Sequence, residues 1–189
     1  MSSDELVIAL DVGGSSVKSA LVTADRQILG TICVDAIQSA ASAPEILRTL
    51  AAIVKGHLKK VKDVKGIGFA FPGPFDYGQG ICLIQNLGKF DALYGLNITA
   101  SLKEILGMPG LEIRYRNDAE AAILGEALYG AGAPYSRLLG LTLGTGLGSA
   151  FIAEGRLIPQ AQTFRHMVGY THSPMARSVP MMSFQHGAC

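Results

Sequence analysis

Two glycine-rich turns, each followed by a strand pattern, constrain this chain more than any other feature. The first lies in Ala9-Leu-Asp-Val-Gly-Gly-Ser-Ser-Val-Lys-Ser-Ala-Leu-Val22, the second in Gly140-Leu-Thr-Leu-Gly-Thr-Gly-Leu-Gly-Ser-Ala-Phe-Ile152. Each has an apolar run, a Gly/Ser/Thr turn and a second apolar run, and each leads to an arginine and an aliphatic pair, Arg26-Gln-Ile-Leu29 and Arg156-Leu-Ile158. Such a repeat, with a period of about 132 residues, implies two similar lobes. A dinucleotide fingerprint would need a helix after the glycines, and a P-loop would end in Gly-Lys-Ser/Thr; neither turn qualifies. Glycine admits positive φ and puts no side chain between backbone amides and a ligand, so such turns can gather phosphate oxygens. Each can also be a plain β-turn. Two copies at equivalent points of a repeat favour phosphate-binding hairpins facing each other across a cleft.

Composition narrows the partner. The chain has 189 residues, a net charge of +1 and 16% charged residues, so no basic stripe suggests nucleic acid and a small ligand is expected. Met1-Ser-Ser-Asp-Glu5 has neither the basic start nor the apolar core of a signal peptide. The uncharged run from Leu138 to Ala153 is glycine-interrupted and shorter than the roughly 20 apolar residues of a membrane span. Cys33, Cys82 and Cys189 fit neither a disulfide framework nor a zinc knuckle. A cytoplasmic protein with no membrane or nucleic-acid partner is the expectation.

Periodicity supplies the elements. Leu6–Leu10, Val17–Val22 and Ile28–Val34 read as strands. A helix begins at Pro44, after Ser42 or Ala43, with an apolar stripe of Ile46, Leu47, Leu50, Ile53, Val54, His57 and Leu58. Gly66–Phe71 is a buried strand stopped by Pro72-Gly-Pro74, and Phe75–Tyr94 reads as a long, irregular functional loop. A helix over Thr99–Leu106, a strand over Leu111–Tyr115, a helix over Ala119–Tyr129 and strands over Leu138–Leu143 and Ser149–Ala153 complete the pattern. The order is βββαβαβα followed by ββ.

Several polar residues stand where this pattern ends its strands. Asp11 precedes Gly13-Gly14, where a carboxylate can hold hydrated Mg²⁺ against phosphates or can cap the turn. Ser16 and Lys18 share a face of the second strand, within reach of a phosphate, though Lys18 reads equally as a solvated edge lysine. In Arg116-Asn-Asp-Ala-Glu120, Asn117 and Glu120 have a capping-box-like spacing. Asp118, at the same point, can take the proton of a hydroxyl attacking phosphorus.

With these residues in place, the sequence resembles the ROK family of sugar kinases and repressors, within the actin-like, hexokinase-like ATPase superfamily. The matching pieces are Asp11-Val-Gly-Gly14 with Lys18, Gly68-Phe-Ala-Phe-Pro-Gly-Pro74, Asn117-Asp-Ala-Glu-Ala-Ala122 and Leu143-Gly-Thr-Gly-Leu-Gly148, in family order over residues 5–158. The resemblance implies an α/β fold, an actin-like ATPase (ribonuclease H-like) lobe over 1–136. The start of a second similar lobe follows over 137–159, then a tail over 160–189 unlike the family. It implies ATP-dependent phosphorylation of a hexose-like hydroxyl, with Asp118 as general base and Asn117 orienting the sugar. Gly73 and the loop bearing Gln85 and Asn86 would border the sugar. Asp11, Gly13, Gly14, Ser15 and Lys18, with Gly144, Thr145 and Gly146, would hold ATP phosphates, Asp11 also through Mg²⁺. Lobe closure would complete catalysis by excluding water. A homodimer is also expected.

The family commonly has a basic residue where this chain has Ser16, and a glutamate, a histidine and often a Cys-x-Cys-Gly zinc motif after the second hairpin. Gln160–Cys189 has no Asp or Glu and no such motif, so a second lobe truncated or altered after about residue 159 is expected. A complete repeat would need roughly 270 to 300 residues. The alternative function is a non-catalytic, regulatory sugar- or nucleotide-binding remnant. A more distant alternative in the superfamily, an acyl-CoA dehydratase activator, would require cluster-ligating cysteines, for which Cys33 and Cys82 are badly placed.

Overall fold

The computed structural model describes residues 5–61, 63–143 and 147–158. In chain order the elements are β1 (Val7–Val12), β2 (Ser16–Val22), β3 (Ile28–Ala36), α1 (Ala43–Leu58) and β4 (Gly66–Phe71). A two-strand hairpin follows, β5 (Phe75–Asp76) and β6 (Ile81–Cys82), then a 3-10 turn at Asp91–Leu93, α2 (Ile98–Leu106) and β7 (Glu112–Asn117). The remainder is α3 (Asp118–Tyr129), β8 (Arg137–Leu143), β9 (Leu147–Ala153) and β10 (Arg156–Ile158). The chain divides into two compact units, Met1–Asp118 and Ala119–Cys189. The break expected after residue 136 therefore falls inside the second unit.

In the first unit five strands form one sheet, ordered β3-β2-β1-β4-β7. β1 pairs antiparallel with β2 and parallel with β4, and β4 pairs parallel with β7. Alternation makes β1 and most of β2 two-faced: Ile8, Leu10, Val12, Val17, Ser19 and Leu21 are buried, with Ala20 buried on the other face as well, whereas Asp11 and Lys18 are exposed. Helix α1 supplies Ile46, Leu47, Leu50, Ile53 and Val54 to the same core, the stripe expected from the sequence. It starts after Ser42, whose backbone N–H donates to the Glu45 carboxylate at 3.0 Å.

Residues 75–94 depart from the irregular loop expected of them. Cys82, Ile84, Phe90 and Leu93 have no exposed surface, and Phe71 packs on Phe75 and Phe90 at ring distances of 4.9 and 5.4 Å. The burial that orders this stretch comes from partners distant in sequence and follows no helical or strand period, which is why periodicity missed it.

The second unit repeats the opening meander: β8, β9 and β10 form an antiparallel sheet ordered β10-β9-β8. Ile123 and Ala127 of α3 pack with Leu138, Ala150 and Ile152. The approach is close, since a Cβ on Gly140 would lie 2.4 Å from Ile123 Cγ2.

His57 is the buried polar residue of α1, 4% exposed, with Nε2 2.8 Å from the Ser19 hydroxyl oxygen and no protein partner for Nδ1 among the described residues. Burial, with the Lys60 charge adding to it against Asp35, holds its imidazole below the ordinary histidine range. The unfolded chain then binds a proton that the folded chain resists, so stability is lost as pH falls below about 6.5. Thermal melts from pH 7.5 to 5 should show this loss, and His57→Gln should show a smaller pH dependence. Gly140→Ala should destabilise the second unit by about 1–3 kcal/mol, the usual cost of overpacking, readable by denaturant melts.

Candidate active site

Because β1, β4 and β7 run parallel, they end on one side of the sheet, the side on which open α/β sheets bind ligands. The first glycine turn begins there. Gly13 N–H donates to Ser16 O at 2.9 Å, and Ser15 O accepts from Ile37 N–H at 3.0 Å, which ties the turn to the segment after β3. A Cβ on Gly13 would lie 3.0 Å from that Ser16 oxygen, so the tight turn favours glycine. A Cβ on Gly14 would be 3.9 Å from both Lys89 Cδ and Ser39 Oγ, and Phe90 N–H donates to Ser39 O at 2.6 Å. Three loops thus meet at this turn. Lys89 is a cation that the sequence reading missed, since nothing local ties it to a turn so far upstream.

One row across the sheet carries charge. Asp11 stands opposite Lys18 of β2 and Ala70 of β4, and Ala70 opposite Arg116 of β7. Register puts these side chains on one face, with Asp11, Lys18 and Arg116 exposed. Among the described residues no three His, Cys, Asp or Glu side chains cluster as a metal cage. A single carboxylate fits the way Mg²⁺ is usually held, keeping waters and taking phosphate oxygens from substrate.

The second group lies at the ends of β4 and β7, where Phe71 pairs with Asn117. Asn117 Nδ2 donates to the Tyr77 hydroxyl at 3.1 Å, and that hydroxyl donates to Phe71 O at 3.2 Å. A Cβ on Gly73 would lie 3.0 Å from the Tyr77 oxygen and 3.7 Å from Asn117 Nδ2. Gly73 and Asn117 are therefore brought together, with Tyr77 as a third member. No local pattern marks Tyr77, which sits in the glycine-rich stretch Asp76-Tyr-Gly-Gln-Gly80. Asp118 follows Asn117 as the first residue of α3 and is half-buried.

Behind this group Tyr115 stacks on Phe69 at 5.2 Å and packs on Phe75 at 5.0 Å. Burial pushes its phenol up to about 12, against the Thr99 hydroxyl, which hydrogen-bonds to it at 3.2 Å. Asn86 is positioned by a different device: it adopts φ 58°, and the Asp91 carboxylate accepts the next two backbone N–H groups, Leu87 at 3.0 Å and Gly88 at 2.8 Å. Gly144, Thr145 and Gly146 lie outside the described residues, and the pairing of Leu143 with Leu147 brackets them. One groove of about 440 Å³ runs between β3 and α1, lined by Cys33, Asp35, Thr49, His57 and Lys60 among others, and includes none of these candidates.

Comparison with known proteins adds a family. The model of the ROK family matches residues 7–182, past the point where the tail was expected to diverge. The polyphosphate glucokinase of Mycobacterium tuberculosis is 32% identical over 161 residues, covering 84% of this chain and 57% of that protein. A ROK family glucokinase from Streptomyces griseus, solved with glucose and AMPPNP, superposes with a TM-score of 0.67 at 27% identity, covering 81% of this chain and 46% of that one. The inorganic polyphosphate/ATP-glucomannokinase of Arthrobacter sp. strain KM gives 0.68 at 30% identity, covering 83% and 62%. The chain spans about half the length of the curated relatives it matches.

Proposed function

The chain belongs to the ROK family, and on that premise we propose that it supports ATP-dependent phosphorylation of a hexose hydroxyl. The observation that carries this reading is the meeting of Gly73 and Asn117, with Asp118 adjacent, at the same sheet end as the Asp11 turn. In the proposed reaction the hexose hydroxyl oxygen attacks the γ-phosphorus of ATP while its proton passes to the Asp118 carboxylate. The bond from phosphorus to the β-phosphate bridging oxygen breaks, and ADP leaves with that electron pair. Asn117 orients the attacking hydroxyl, with Gly73 and the loop of Asn86 at the edge of the sugar.

Asp11 would hold a hydrated Mg²⁺, which supplies charge neutralisation on the phosphates. Gly13, Gly14 and Ser15 would contribute backbone N–H groups, and Lys18 and Lys89 positive charge. Gly144, Thr145 and Gly146 belong to the proposed phosphate contacts as well. Most of the catalysis in such a site is positioning and charge stabilisation. Since two relatives carry polyphosphate in their names, inorganic polyphosphate is the donor to compare with ATP. A cytoplasmic homodimer belongs to the same reading; no described helix is long and apolar enough to cross a membrane.

A second reading is regulatory sugar or nucleotide binding without transfer. Assay of a hexose panel with ATP and Mg²⁺ should show phosphorylation, and Asp118→Asn should lower kcat by about 10²–10⁴, the usual worth of a general base. Transfer that survives this substitution would remove Asp118 from its role. Under the second reading no transfer is seen, and calorimetry should register glucose without heat from ATP.

A further inference from the structure

We infer that Asp91 is a positioning residue shared by the two substrates: its carboxylate shapes the turn that holds Asn86 to the sugar and Lys89 to the donor phosphates. This rests on the proposed roles of Asn86 and Lys89 and adds the group that couples them.

Residues 86–90 form a turn that ordinary backbone preferences resist. Asn86 and Phe90 have φ 58° and Gly88 has φ 70°, so two of these three left-handed positions are taken by residues with a Cβ. Such a path persists where its surroundings hold it. On one side Asp91 uses both carboxylate oxygens: Oδ1 accepts from Leu87 N–H at 3.0 Å and Oδ2 from Gly88 N–H at 2.8 Å. Bonds to an ionised acceptor are stronger than those between neutral groups. On the other side Phe90 is fully buried, and its N–H donates to Ser39 O at 2.6 Å. Asn86 therefore stands just before the two amides that Asp91 holds, and Lys89 stands between the second of them and the Phe90 anchor.

The same anchoring carries Lys89 to the first glycine turn. Lys89 is half-buried, and its Cδ would lie 3.9 Å from a Cβ on Gly14. The ammonium is two bonds beyond Cδ, so its charge stays beside that turn whichever rotamer the last bonds adopt. Among the described residues Lys89 enters no ion pair, which leaves the charge for an anion. Removing the Asp91 carboxylate would release the amides of Leu87 and Gly88, and with them the placement of the residues on either side.

Calorimetry on the full chain tests this with glucose and with a donor phosphate, AMPPNP with Mg²⁺ or inorganic polyphosphate, whichever the wild-type chain binds. Asn86→Ala should weaken glucose alone and Lys89→Met the donor alone, each by about tenfold in Kd. Asp91→Ala should weaken both, and Asp91→Asn, which keeps one acceptor oxygen, should fall between. In the Lys89→Met background Asp91→Ala should add nothing to the loss of donor affinity, as expected of a residue that acts through another. Circular dichroism should be unchanged throughout; if Asp91→Ala loses signal, Asp91→Asn carries the comparison. Wild-type affinities in the Asp91 variants, a loss confined to one ligand, an equal donor loss in both backgrounds, or a wild-type chain that binds glucose and no donor would overturn the inference and leave the sugar site standing. A wild-type chain that does not bind glucose would instead overturn the sugar site, and the inference with it.

Discussion

The burial of Ile8, Leu10 and Val12 against the α1 core is the interaction on which the rest of the first unit depends. Side chains alternate along a strand, so committing these three to the core commits Asp11 to the opposite face. Pairing in register then fixes the neighbours of Asp11, with Lys18 on one side and Ala70 on the other. A slip of one residue would bury the carboxylate and expose the core. The charged row across the sheet is thus a consequence of hydrophobic packing on its other side, and the antiparallel turn that carries Gly13 and Gly14 follows from the same register. This mixed sheet with a long helix on one face is the actin-like α/β fold shared with the ROK sugar kinases.

A second layer of order comes from aromatic packing. Phe69, Phe71, Phe75, Phe90, Tyr77 and Tyr115 join into a chain of ring contacts between about 4.9 and 5.4 Å, within the range of favourable aromatic geometry. Its members come from β4, β5, β7 and the loops around them, so the cluster ties the segment after Pro72 to the strand that ends in Asn117. Hydrogen bonds then refine what packing has placed. Tyr77 bridges Phe71 and Asn117, and Asp91 gathers the amides of Leu87 and Gly88. A loop that reads as flexible from its glycines is in fact pinned at four buried points, Cys82, Ile84, Phe90 and Leu93.

Glycine does two different jobs in the second unit. In sequence, Gly140, Gly144, Gly146 and Gly148 look like one motif. Within the structure, Gly140 and Gly148 are the places where the sheet meets α3, since Cβ atoms there would fall 2.4 Å from Ile123 Cγ2 and from Ala119 Cβ. Part of the glycine content that suggests a ligand loop is therefore explained by helix packing. This is also why α3 belongs with β8 and β9, and why the compact units part at Asp118 and Ala119.

The sequence by itself determined most of the element order: the opening strands, the α1 stripe, a strand over Leu111–Tyr115 and the repeated glycine hairpin are all written in local pattern. It also singled out Asp11, Asn117 and Asp118, because each stands at a strand end next to a turn, while Gly73 came only from the resemblance to the ROK family. Tertiary structure alone decided that Gly73 and Asn117 are neighbours, that Tyr77 joins them, and that Lys89 and Ser39 approach Gly14. These contacts join segments tens of residues apart, and a tyrosine in a glycine-rich loop leaves no period to read. Local patterns encode which face a residue takes. The partner it meets there depends on how separate stretches of chain close around a common core.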